Sequence, residues 1–210
     1  MSNMRKQTRR LKLFLFLLLF FRFHVSGFTE ISIAVQPFGN VDTLQLLPVL
    51  EAVAREYHAA EVVIRQPVPL PESAFYPPRG RYRAEKLLDF LDSINDGRYY
   101  RVVGFTDKDI STTKGAIEDW GIFGLGTIGG YSCVVSTFRL KRDGKTDLFE
   151  PRLKRIIIHE LGHTFGLYHC NWRLCVMANY KGTIRILDEQ WAHLCAPCKR
   201  SFRKKYKIGQ

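Results

Sequence analysis

The 210-residue chain has no long hydrophobic run: its longest uninterrupted apolar stretch, Leu13–Phe21, has nine residues. A relaxed helix needs about 20 to span a bilayer. Repeats and low-complexity tracts are also missing, which excludes fibrous and disordered architectures. Acid is scarce, with 20 Asp and Glu against 32 Lys and Arg, a net charge of +12. Such an imbalance points to nucleic acid only if the folded part carries it, and here it does not. Residues 1–22 hold six cations (Arg5, Lys6, Arg9, Arg10, Lys12, Arg22) and no acid, and the end of the chain adds six more (Lys199, Arg200, Arg203, Lys204, Lys205, Lys207). Those twelve equal the whole excess, so residues 23–198 are electrically balanced and no nucleic-acid partner is expected.

The beginning of the chain stands apart from the rest. A basic stretch to Lys12, the apolar Leu13–Phe21, and small residues at Val25-Ser26-Gly27 have the layout of a secretory signal cut near Phe28. The alternative is a start assigned too far upstream, with the protein proper beginning near Ile31. The first reading implies export or membrane association, the second a cytoplasmic protein. Either way residues 1–27 lie outside the fold. Residues 28–198 are expected to form a single domain of ordinary size, followed by a solvated basic tail at 199–210.

Within the domain, Glu30–Phe38 alternates and reads as a first strand. Asp42-Thr-Leu-Gln45 resembles a capping box opening a helix to about His58, with Leu44, Leu47, Leu50, Val53, Ala54 and Tyr57 as its apolar stripe. Glu61–Gln66 is a second strand. Pro67–Gly80 contains five prolines and reads as an irregular excursion. A helix is expected over about Tyr82–Asn95, then strands at Tyr99–Phe105 and Tyr131–Phe138. Gly121–Gly126 and Gly129-Gly130 between them lack the spacing of a dinucleotide loop, and suit a bulged or edge strand beside a cleft, where another backbone approaches closely. A third helix begins near Glu150-Pro151, and a last one near Asp188. The order of elements implies an α/β (α+β) fold, a mixed sheet packed by helices.

Chemistry concentrates in His159-Glu-Leu-Gly-His-Thr-Phe-Gly-Leu-Tyr-His169. His159 and His163 are four residues apart, so both imidazoles leave the same helix face, as two nitrogen ligands of one zinc require. Glu160 is placed to activate the attacking water without binding the metal. On a continuous helix His169 would lie about 9 Å beyond His163 and some 120° round from it. Gly166 adopts positive φ without penalty and lets the chain turn back to supply His169 as third ligand. Three protein ligands leave a fourth position open, the arrangement of a catalytic zinc. Such a metal acidifies water and polarises a carbonyl, and Glu160 shuttles the proton to the leaving amine.

Four of the five cysteines follow directly. Cys170 and Cys175, then Cys195 and Cys198, have the spacing of a four-thiolate structural zinc, with two disulfides as the alternative. From His159 through Cys170, Cys175 and Met177 to Cys198, the chain closely resembles the archaemetzincin family, zinc metalloproteases of the metzincin group. Ile31-Ser-Ile-Ala-Val-Gln-Pro-Phe-Gly-Asn-Val-Asp42 resembles that family's usual start. The resemblance implies a metzincin-like peptidase domain with a C-terminal zinc-knot segment, carrying one catalytic and one structural zinc. It also implies that Met177 is the methionine of the Met-turn beneath the catalytic metal. A peptide or protein substrate and a monomer are expected. The competing reading is a catalytically weak or inactive zinc-binding interaction protein. Lesser candidates are His193 as a substitute zinc ligand, Tyr168 or Tyr180 as an oxyanion donor, and Cys133, read as a buried apolar residue.

Overall fold

The structure, a computed structural model, describes residues 30–208; the signal-like segment 1–27 lies outside them. The first half of the chain forms β1 (Ser32–Pro37), α1 (Leu47–Tyr57), β2 (Glu61–Ile64), β3 (Phe75–Tyr76), β4 (Arg81–Arg83) and α2 (Ala84–Ser93). The second half forms β5 (Arg101–Thr106), β6 (Ile110–Lys114), β7 (Ile117–Ile122), β8 (Gly124–Gly126), β9 (Ser132–Ser136), α3 (Phe149–Thr164), α4 (Ile184–Glu189) and α5 (Ala196–Tyr206).

Two sheets organise these elements. The larger has the order β2-β1-β5-β9-β8, its first four strands parallel and β8 antiparallel at the edge. Its strands are covered on both faces, as parallel sheets require. On one face Ile33, Val35, Val103, Phe105, Cys133 and Val135 meet Val49, Val53 and Tyr57 of α1 and Leu153, Ile156, Ile157 and Leu161 of α3. On the other, Val102 and Val134 meet Phe38 and the Leu87, Leu88 and Leu91 stripe of α2. Gly104 has no side chain because a Cβ there would lie 2.7 Å from Leu91 and 2.8 Å from Phe38. The smaller sheet, β3-β4-β6-β7, is laced by arginines: Arg81 reaches Asp109 and Asp119 at 2.8 Å, and Arg139 reaches Asp109 at 2.7 Å.

Three consecutive isoleucines are poor helix formers because branching at Cβ costs rotamer freedom. They nevertheless sit in α3, where Ile156–Thr164 is buried without interruption. Each buried aliphatic side chain contributes about 2 kcal/mol, several times the propensity loss of about 0.5 kcal/mol per residue. Burial wins, and α3 becomes the central helix.

Several boundaries differ from the sequence reading. The second helix starts at Ala84, because Tyr82 and Arg83 are drawn into pairing with Ile110 and Ser111. The Asp42–Gln45 box opens a 3-10 turn at Leu44–Leu46, with Leu44 N–H on the Asp42 carboxylate at 3.0 Å, and the α-helix begins only at Leu47. The proline-rich excursion contains the short strand β3, and the hairpin β6–β7, turning at Gly115-Ala116, was not anticipated. Asp188 lies near the end of α4 and does not open a helix. The expected basic tail is largely helix α5: its cations hide Phe202 and Tyr206, one turn apart, which pack on Tyr57 and Phe165. Among the described residues no helix is long and apolar enough to cross a membrane.

Arg152 is fully buried at the start of α3, held by Asp143 at 2.6 Å and Asp188 at 2.7 Å. The guanidinium holds the Asp143 carboxyl down at about 2. Arg152→Met should destabilise the domain by about 1–3 kcal/mol, the usual cost of removing one partner of buried hydrogen bonds such as that to Leu140 O, measured by urea unfolding at neutral pH. Because the Asp143 pKa is depressed, this stabilisation is present above the ordinary carboxylate range and fades as pH falls towards 2. The difference between wild type and variant should therefore shrink over that window.

Candidate active site

Helix α3 stops where the chemistry needs it to. Gly166 adopts φ 84°, its N–H bonds the His163 carbonyl at 2.7 Å, and the Leu167 N–H bonds that of Gly162 at 2.9 Å. These are the paired bonds of a Schellman C-cap, and the chain beyond turns back with His169. The remaining carbonyls at this end are covered by cations and a hydroxyl. Arg101 reaches Thr164 O at 3.1 Å, while Lys205 Nζ and the Tyr206 hydroxyl reach Phe165 O at 3.1 and 3.2 Å. Positive charge at a helix C-terminus is favourable, so part of the basic C-terminal segment serves the active-site helix.

The three histidines come together, their ligand atoms all within 4.8 Å. His159 Nδ1 lies 2.7 Å from Val176 O and His163 Nδ1 lies 2.8 Å from Leu167 O. A carbonyl only accepts, so both Nδ1 atoms carry hydrogen and both Nε2 atoms present lone pairs. Those two Nε2 atoms stand 3.1 Å apart. Two acceptors at that separation repel unless a cation lies between them. Ligands of one tetrahedral zinc would be about 3.3 Å apart, given bonds of 2.0–2.1 Å. Burial pushes His159 down to about 3 and lowers His163 and His169 as well, which keeps the rings neutral, as ligation demands.

Glu160 is nearly inaccessible at 3% exposure, and burial pushes its carboxyl up to about 7 against the opposing hydrogen bonds of Tyr180 and the Gly126 N–H. Tyr180 donates to Glu160 Oε1 at 2.7 Å, and its ring lies 4.9 Å from that of His159. The glycines of β8 allow this approach. A Cβ at Gly124 would lie 2.7 Å from Glu160 Cγ, and one at Gly126 would overlap the Glu160 carbonyl. The expected edge strand beside the cleft is thus β8, and its glycines are fixed by α3. Met177 is fully buried with its sulfur pressed against Gly162, between the two helical histidines.

A second cluster adjoins the first through the His169–Cys170 peptide. Cys170, Cys175, Cys195 and Cys198 bring their sulfurs within 4.8 Å of one another, all as free thiols. Cys170 and Cys195 are 3.8 Å apart, Cys175 and Cys198 3.9 Å. Four sulfurs at 2.3 Å from a tetrahedral zinc would be separated by about 3.8 Å. Backbone N–H groups of Met177 and Cys195 point at the Cys175 sulfur at 3.4 and 3.3 Å, and that of Trp172 points at the Cys170 sulfur at 3.4 Å, as suits thiolates. Both donor sets fit the metal their chemistry suggests.

The lesser candidates separate. Tyr180 joins the site, whereas Tyr168 is 72% exposed and does not line the cleft. His193 stacks on Trp191 outside the cysteine cluster, and Cys133 is buried in β9 as expected. The cleft over the histidines, about 320 Å³, is also lined by Thr112, Lys114 and Trp120 of the hairpin β6–β7, by Ile128, and by Asn179, Lys181 and Gly182. None of these was foreseen. The only local signal was the two alternating runs around Gly115.

A parallel-sheet domain with a turned histidine triad over a buried glutamate is the arrangement of a zinc metallopeptidase. Comparison with known proteins agrees. The profile of Peptidase family M54 matches residues 46–204. The archaemetzincin of Haloarcula marismortui is 32% identical over 155 residues, 70% of this chain and 86% of its own length. That of Saccharolobus solfataricus is 37% identical over 147 residues, 67% and 76% respectively. The crystal structure of the Methanopyrus kandleri archaemetzincin superposes with a TM-score of 0.74 at 31% identity, covering 85% of this chain and 96% of that one. The Archaeoglobus fulgidus archaemetzincin, complexed with malonate, gives 0.69 at 26% identity over 82% and 99%. The chain belongs to peptidase family M54, the archaemetzincins, and is a zinc metallopeptidase.

Gly126→Ala should test the contact of β8 with α3. The added methyl overlaps backbone, which does not yield, so the variant should lose about 1–3 kcal/mol in a melting measurement. Peptide hydrolysis should fall at least about tenfold, because Glu160 is displaced.

Proposed function

We propose that His159, His163 and His169 hold the catalytic zinc, that Glu160 is the general base, and that Cys170, Cys175, Cys195 and Cys198 hold a second, structural zinc. The observation that carries this reading is the pair of Nε2 lone pairs 3.1 Å apart beside a buried carboxylate, a juxtaposition that costs free energy without a cation and an acid–base task. When bound, zinc supplies a Lewis acid for the peptide carbonyl and for water. Glu160, made more basic by burial and oriented through Oε1 by Tyr180, removes a proton from the attacking water. The water oxygen bonds to the carbonyl carbon, the C–N bond breaks, and Glu160 returns the proton to the leaving nitrogen. The peptide lies extended along β8, an edge strand lining the cleft, a position that suits strand addition. All these groups come from one chain, so the site needs no residue from a second copy, in keeping with a monomeric active form.

Glu160→Gln should lower kcat by about 10²–10⁴-fold while retaining zinc, read by peptide digestion with mass-spectrometric detection and elemental analysis. Residual activity above about one percent would remove Glu160 from the role of base.

Metal content provides an independent test. The wild type should contain two zinc ions per chain. Cys195→Ser should lose one together with much of the folding stability, since binding a structural zinc contributes directly to folding. His159→Ala should lose the other with a smaller drop in melting temperature. A single zinc accompanied by two mapped disulfides would eliminate the structural site.

A further inference from the structure

The cleft contains an uneven charge distribution that proton transfer does not use. Its one acidic lining residue, Glu160, is buried at the floor. Its rim carries two lysines, Lys114 and Lys181, from separate segments. Lys114 ends β6 and places Nζ 4.4 Å from the centre of the Trp120 ring. Lys181 precedes Gly182, whose Cα packs against the same indole, a Cβ there lying 3.4 Å from Trp120 Nε1. Both lysines are exposed, so their heads are free to move over one end of the cleft. Neighbouring arginines are neutralised: Arg81 and Arg139 are spent on Asp109 and Asp119. Neither lysine is ion-paired among the described residues. One unneutralised ammonium over the indole and a second lysine lining the same cleft, next to the glycine that packs on that indole, generate a positive potential that a bound carboxylate would relieve, and the cleft lining offers no exposed carboxylate to do so.

We propose that the Trp120 end of the cleft is a carboxylate subsite, with Lys114 and Lys181 selecting peptides that present a carboxylate there. This rests on the peptidase reading above. The carboxylate belongs either to an Asp or Glu side chain near the cleaved bond or to the substrate's own C-terminus. One exposed ion pair is worth at most about fivefold, so the two lysines together give a preference of about tenfold.

The test uses the zinc-loaded full chain and a peptide series on one cleavable scaffold. Glu, Gln or Lys is placed at each position flanking the cleaved bond, and every peptide is made with a free and an amidated C-terminus. For the wild type, kcat/KM for the best Glu peptide should exceed that of its Gln partner about tenfold, or the free-acid peptide should exceed its amide by that factor. The first outcome identifies a side-chain carboxylate and the second the C-terminal one; both support the subsite. The preference should collapse towards unity in the Lys114→Gln/Lys181→Gln double variant and in about 1 M salt. Lys181→Glu should shift it towards Lys peptides. Equilibrium binding of the same peptides to zinc-loaded Glu160→Gln should reproduce the ranking without turnover. A ratio near one for both arms in the wild type, or a ratio unchanged in a double variant that melts like the wild type, would overturn the proposal. Turnover surviving in Glu160→Gln would instead count against the base assignment and leave the ratio readable.

Discussion

The left-handed turn at Gly166 governs the active-site end of the molecule. A helix that continued would carry His169 away from His163, and a side chain at φ 84° would be strained. The turn also exposes the last carbonyls of α3, which Arg101, Lys205 and Tyr206 then cover. One backbone reversal thus explains the third histidine, the position of Leu167 O behind His163, and the use made of a basic C-terminal helix.

A second dependence follows from the shared backbone. Cys170 is bonded to His169, and Cys175, two residues before Met177, receives the Met177 N–H. The Cys170 N–H bonds the Met177 carbonyl at 2.9 Å, closing the loop between the two clusters. Any constraint placed on the four thiols therefore passes to the histidine triad and to the floor beneath it. The opposite wall is held differently, by close backbone approach: β8 lies so near α3 that only glycine fits at positions 124 and 126. Glu160 occupies the narrow space between these walls, which is why its carboxylate is buried and why Tyr180 reaches it.

The lysine-bearing rim obeys a different rule. Arg81, Arg139 and Arg152 are locked into carboxylate pairs that fix the hairpin and the start of α3. Lys114 and Lys181 stand outside that network. The charge of these arginines is neutralised within the fold, whereas the two lysines that line the cleft are left without a carboxylate partner among the described residues.

Much of the site was legible in the sequence. Metal ligation selects residue types at short, helix-commensurate spacings, so the chain alone singled out His159, His163 and His169 as one group and the four cysteines as another, and the fold brings each group together. Hydrophobic periodicity likewise determined β1, β5, β9 and the apolar stripe of α2, because burial of one face is a local pattern; in α1 it placed Val53 and Tyr57, but Leu44 and Leu47 are exposed, and Leu46 and Val49 are buried in their stead. Other features were decided only by tertiary contact. Tyr82 and Arg83 read as helix until Ile110 and Ser111 offered them strand pairing. The basic end looked solvated because the two apolar side chains that dock it are outnumbered by cations. Trp120 reaches the cleft from 40 residues before Glu160, and Tyr180 and Lys181 from 20 and 21 residues after it, and no short window contains that relation. Spacing along a helix is written in the sequence; the closing of one segment upon another depends on the free energy of packing the whole domain.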